Sequence, residues 1–203
     1  MKKFTTPLLG SFALAAMCLP AVATTIVRLS IEELTSRADD VLIGEVTKIE
    51  SRWSLDHKEI NTFVTLHKPS HLKAVGGDAA DTIVIVPGGT VDGMTSEAIG
   101  APTFTVGEQV ALFTITMAPA RPQPIEATQW VLGLSQGKWN IVAGKDGTLR
   151  ASVSNPNGAT VVQRADQPQI DLNVPLAEFN RRVLTQTDRD RAYLNPAVRK
   201  AGQ

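Results

Sequence analysis

From Val41 to Val153 the chain alternates short runs of β-type sequence with turns rich in Gly, Pro and polar residues, and helical patterns do not alternate with these runs. That pattern restricts the fold more than any other feature. Short strands joined by tight turns bury their apolar faces by closing into a barrel or stacking as a sandwich. The runs are Val41–Val46, turning amphipathic towards Ile49; residues 60–67; Thr82–Val86; Val110–Met117; and then 129–135, 137–143 and 147–153. The polar tract 54–59 joins the first two as a hairpin, and Pro69 closes the second. Residues 75–81 and 100–109 read as loops, and 118–124 holds three prolines in an exposed loop. The last three runs form a meander, with turns at Gly137 and at Asp146-Gly147.

Two helices flank the strands. Ser30 and Glu33 stand at capping-box spacing, with Leu29 and Leu34 at the staple positions; the helix ends near Ala38. Pro175 opens the second helix, and Leu176, Phe179, Val183 and Leu184 fall at helical spacing. Residues 155–173 read as polar loop, and 186–203 as a polar, flexible tail. The predicted class is mainly β: a small closed or partly open OB-type barrel with a short helix near each end.

The first 23 residues have the form of an export signal. A basic start, an apolar run from Leu8 to Leu19, and the small-x-small site Ala21-Val22-Ala23 predict cleavage after Ala23. The domain is then expected over 24–185, in the periplasm or outside the cell. Cys18 leaves with the leader, so the exported chain holds no disulfide and no cysteine-ligated metal. The net charge is zero, which argues against nucleic acid as a partner. No later stretch is long and apolar enough to cross a bilayer as a helix.

Motifs for chemistry are sparse. His67 and His71 are four apart, but Pro69 lies between them, and a strand would hold them roughly 13 Å apart. They read as solvated loop or edge residues. Ser135 sits in Gly-Leu-Ser-Gln-Gly, the letters of a nucleophile elbow; an elbow needs a helix next, and a strand follows, so it reads as part of a hairpin. No catalytic residue, metal site or cofactor is predicted. Trp130 and Trp139 read as core or cross-strand packing, and Trp53, beside Arg52, as a contact residue. Pro87 ends its strand by removing a donor, and Gly88, Gly89 and Gly93 either shape a tight exit or leave amides open to a ligand.

The segments 29–53, 87–93, 100–113 and 131–141 resemble, in matching order, an uncharacterised family of exported bacterial proteins. Residues 24–29 read as a short strand or extended arm, and more distantly this N-terminal arm, preceding Asp-Val-Leu-Ile (40–43), resembles the netrin-like module of tissue inhibitors of metalloproteinases. That resemblance implies a curved five-stranded barrel with a binding role. It also implies that Thr24 and Thr25 take the positions that chelate and specify in those inhibitors. Those inhibitors begin with cysteine and pin the arm by disulfides; here an unpinned arm would order only on binding, at a cost of roughly 1–2 kcal/mol per residue.

The reading is therefore an exported protein-binding module, directed at a secreted or envelope protease. Its binding surface combines Thr24, Thr25, Trp53, Pro87, Gly88, Gly89 and Gly93. The alternatives are an envelope hydrolase using His67, His71 or Ser135, and a sugar-binding module, for which two exposed tryptophans on one face would be the sign.

Overall fold

The computed structural model describes residues 25–73, 80–125, 127–154 and 156–194. The elements in order are β1 (Thr25–Val27), α1 (Ile31–Arg37), β2 (Asp40–Trp53), β3 (Ile60–His71), β4 (Thr82–Pro87), β5 (Gly89–Val91), β6 (Met94–Ser96), β7 (Gln109–Thr116), β8 (Gln129–Val131), a 3-10 turn (Leu134–Gly137), β9 (Lys138–Ala143), β10 (Leu149–Val153), β11 (Thr160–Val162), β12 (Asn173–Pro175) and α2 (Leu176–Leu194).

β2, β3, β4, β8 and β7 close into a five-stranded barrel. β2 pairs with β3 and β7, β3 with β4, and β7 with β8, all antiparallel; β4 and β8 complete the ring in parallel. Numbered along the chain, the order is first-second-third-fifth-fourth-first, and the closed barrel is the class that the strand pattern predicts. β9, β10 and β12 extend the sheet beyond the barrel from β7.

The apolar run at the start of β2 follows from burial on both faces. Leu42 and Val46 point into the barrel with Val64, Leu66, Val84, Val110 and Leu112. Val41 points the other way, into a second core with Ala111, Phe113, Leu34, Trp139, Phe179 and Val183. Gly44 admits a bulge: a Cβ there would lie 3.1 Å from that of Pro69, which follows Lys68 at φ +36° on β3.

The Ser30–Glu33 capping box forms as predicted. Other expectations are corrected. β8 and β9 do not form a hairpin: both lie along one edge of β7, separated by the 3-10 turn that starts from Gly133 at φ +67°. β8 bends to close the barrel while β9 runs on to β10. The polar stretch after 155 contains β11, and 87–96 contains β5 and β6. α2 is not short and does not stop near Gln186. It runs to Leu194 because polar contacts replace apolar ones: Gln186 bonds Ser36, Ser36 bonds Asp190, and Arg191 donates to the Lys73 carbonyl. Residues 195–203 of the expected tail lie outside the described part. Among the described residues no helix is long and apolar enough to cross a membrane.

Candidate functional site

The strand exit after Pro87 builds one end of the barrel. Gly88 (φ +90°) and Gly89 (φ +137°) turn the chain out, and it returns as the β5–β6 hairpin through Asp92 (φ +51°) and Gly93 (φ +78°). Two successive positive φ angles on Asp-Gly make a turn of the I′ kind. That dipeptide is the sequence signal that could have revealed the hairpin. Gly88 donates to the Ile60 carbonyl at 2.9 Å, and Thr62 Oγ1 donates to the Gly88 carbonyl at 2.7 Å. A Cβ on Gly88 would stand 2.7 Å from the Ser96 carbonyl oxygen, and one on Gly89 would stand 2.5 Å from Thr62 Oγ1. Packing thus accounts for both glycines. What the exit leaves open is the space beside it.

That space is a cavity of about 260 Å3 at the barrel mouth. Ile49, Val86, Ala98, Ala101 and Phe104 supply its apolar lining; Ser51, Thr62, Thr95, Ser96, Glu97 and Asn157 supply polar atoms. Strand alternation explains Thr62 and Val86, which continue the inward rows of β3 and β4 past the packed interior, and the register shift between Val46 and Lys48 brings Ile49 onto the inward row of β2. A second cavity, about 290 Å3, is lined by Trp53, Leu55, His57, Val91 and Pro124. Ser51 lines both, so β5 separates two neighbouring hollows. Trp53 is half-buried, its ring centroid 6.0 Å from that of His57.

The lining of the first cavity holds one charged side chain, Glu97, and Arg52 lines the second. No Lys or Arg occurs between Lys73 and Arg121. Asp92 and Glu97 make no ion pair among the described residues, whereas Glu108 is held 2.7 Å from Lys138 Nζ. Lys138 is buried, donates to the Thr103 carbonyl at 2.6 Å, and stands 4.4 Å from the Phe104 ring centroid. Burial lowers its pKa, and the Glu108 carboxylate opposes that shift.

Of the residues singled out in the sequence, Pro87, Gly88 and Gly89 line the first cavity and Trp53 the second; Gly93 stands at the turn of the β5–β6 hairpin and Thr25 on β1, neither of them in these linings, and Thr24 is outside the described residues. The arm is not unpinned. β1 pairs in parallel with β11, and Arg28 N–H donates to the Val162 carbonyl at 2.7 Å. Gln136, itself buried, accepts from Leu29 N–H at 2.8 Å and donates to the Val27 carbonyl at 3.0 Å. Main-chain pairing and one amide side chain hold the arm against the domain. Sequence reading missed Gln136, along with Ser51, Thr62, Glu97, Phe104 and Lys138. The basic-free stretch from 74 to 120 was a signal for the acidic mouth; Gln136 carried none.

His67 and His71 do not meet. His67 Nδ1 is 2.9 Å from Asp81 in an exposed pair. His71 Nδ1 bonds the buried Asp40, so it is not the solvated residue expected; the Lys68-Pro69 bulge turns it against the start of β2. Ser135 is buried in the 3-10 turn, its Oγ without a hydrogen-bond partner among the described residues. No group of three metal-ligating side chains occurs among the described residues. Trp139 is core, 5.3 Å from the Phe179 ring, and Trp130 is half-buried on β8 opposite Ile85. None of the three tryptophans is exposed. No family model, curated protein or solved structure matches this chain.

Proposed function

We propose that this chain is an exported binding module that receives a protein partner on the face made by the barrel mouth, the β5–β6 hairpin and Trp53. One observation carries the reading: two hollows sharing Ser51 flank a hairpin whose strand β6 pairs with β5 alone among the described residues. A free strand edge beside pockets supports recognition of an extended segment. Main-chain hydrogen bonds along the edge provide affinity, and pockets read alternate side chains. Strand-end loops on a rigid barrel are also where binding residues concentrate. A secreted or envelope protease is the first partner class to test, on the strength of the inhibitor resemblance.

The test is crosslinking in the chain's own compartment, with the adducts identified by mass spectrometry. Trp53→Ser and Thr25→Gly variants run beside the wild type. The expected result is one dominant adduct, lost in Trp53→Ser and kept in Thr25→Gly. Loss in Thr25→Gly alone would move the surface to the arm. No specific adduct in the wild type would overturn the proposal.

A further inference from the structure

We infer that the barrel-mouth cavity is built for one basic side chain of that protein partner, a lysine or arginine; this rests on the binding-module reading and names the chemistry that the mouth recognises.

Shape comes first. The cavity's volume, about 260 Å3, lies below the roughly 300–1,000 Å3 typical of sites for drug-sized ligands. It suits a single side chain. Ile49, Val86, Ala98 and Ala101 give it an apolar floor, and its polar atoms sit around that floor. A methylene stem ending in a charged head matches such a lining from end to end, stem on the apolar part and head at the polar rim.

Polarity follows from the hydroxyl at the centre. Thr62 has one proton and gives it to the Gly88 carbonyl. In its contact with Ser51, 2.9 Å away, Thr62 must therefore accept, and Ser51 must spend its own proton there. Both hydroxyls then offer only lone pairs to an incoming group. An ammonium or guanidinium, which donates and cannot accept, fits that arrangement. A carboxylate does not.

Charge agrees. Glu97 is the one titratable residue in the cavity wall and makes no ion pair among the described residues. No basic side chain lines the cavity. The cation close to the wall, Lys138, does not line it and is bound by Glu108 and by the Thr103 carbonyl. β6, whose last residue Ser96 precedes Glu97, supplies the edge along which the partner's main chain would run.

The test uses the chain expressed from its full sequence, 15N-labelled and titrated in the millimolar range. The probes are Nα-acetyl-lysine amide, Nα-acetyl-arginine amide and Nα-acetyl-norleucine amide, the last with an alkyl stem and no charge. The expected result is saturable shifts of the Gly88, Gly89, Ser96 and Glu97 amides with the two basic probes. Norleucine should bind about fivefold more weakly, and Glu97→Gln should weaken the basic probes by about the same factor without changing norleucine. Equal binding of norleucine, basic probes indifferent to Glu97→Gln, or shifts confined to other surfaces would each overturn the inference. Partner capture separates the two ideas. A crosslinked partner held undiminished by Glu97→Gln would leave the binding module standing and remove its basic anchor. Failure to capture any partner would remove the module, while the titration would still decide what the cavity takes.

Discussion

Gly89 lies so close to Thr62 that a Cβ added to it would stand 2.5 Å from Thr62 Oγ1, within the distance that real Cβ atoms avoid. The hydroxyl cannot retreat, because it is held by the Gly88 carbonyl at 2.7 Å and by Ser51 Oγ at 2.9 Å. Gly89→Ala therefore combines backbone strain at φ +137° with a clash against a fixed group. The expected cost is about 1–3 kcal/mol in urea unfolding, with the hairpin displaced from Ser51. Gly93→Asn at φ +78°, where nothing lies within 4 Å, should cost less than about 1 kcal/mol, since Asn visits the left-handed region. Equal costs at the two positions would show that packing against Thr62 is not what fixes the strand exit.

Gln136 holds the N-terminal arm by both ends of its amide. Gln136→Ala leaves the Leu29 N–H buried without an acceptor, a loss of about 1–3 kcal/mol. The local consequence is more diagnostic. Amide exchange of Arg28 and Leu29 should accelerate, while amides of the barrel strands β2 and β7 keep their protection. An arm whose exchange is unchanged in Gln136→Ala is held by β11 alone.

How much of this could be read from the residues depends on the range of the interactions. The Ser30–Glu33 box is local, spanning three residues, and forms as its spacing predicts. So does the long β2–β3 hairpin, whose register carries Ser51 opposite Thr62. The pairing of β4 with β8 is parallel and joins distant segments, so no turn residue announces it. β11 has three residues, too few to show alternation in a stretch that reads as polar loop, and it is a strand because β1 is there to pair with it. The β8–β9 error has a different cause. Two runs with a Gly between them look like a hairpin, but β2 fills the opposite edge of β7, and both runs find their partner along the remaining one. The candidate site was half legible: Trp53 and the strand exit come together, but the cavity beside them depends on residues from four separate segments.

Acid should loosen the packing of the two helices. Arg182 on α2 holds Glu32 on α1 by two bonds of 2.7 Å, and that hydrogen bonding is the main cause holding the Glu32 pKa below its ordinary 4.5. A carboxylate depressed in the folded state contributes stability that is present above its unfolded pKa and lost as pH falls through the folded value. Stability should therefore decline below about pH 4.5. Arg182→Met should cost about 0.2–1 kcal/mol at neutral pH, given the partial exposure of the pair, and flatten the acid decline. The measurement is urea unfolding from pH 6 to pH 3, followed by the fluorescence of the tryptophans, Trp139 lying against Phe179. An acid slope identical in Arg182→Met would assign the decline to other carboxylates.

Lys138 supports the wall of the mouth, and its two partners predict opposite behaviours. Glu108→Gln leaves a buried ammonium with the Thr103 carbonyl and without its carboxylate, and should cost about 1.5–3 kcal/mol at neutral pH. Burial already lowers the Lys138 pKa from 10.5. The folded chain therefore releases this proton before the unfolded chain does, and stability rises with pH across the window below 10.5. Removing the carboxylate widens that window, so the deficit of Glu108→Gln should shrink between pH 7 and pH 10. Lys138→Met removes one partner only: it leaves the Glu108 carboxylate and the Thr103 carbonyl without their ammonium donor and should cost about 1–3 kcal/mol. It also uncovers the Phe104 face. Amides of residues 97–104 should then exchange faster in Lys138→Met, while amides of the barrel strands β2 and β3 keep their protection. A Lys138→Met chain with an unchanged mouth would confine the role of this lysine to its pairing with Glu108.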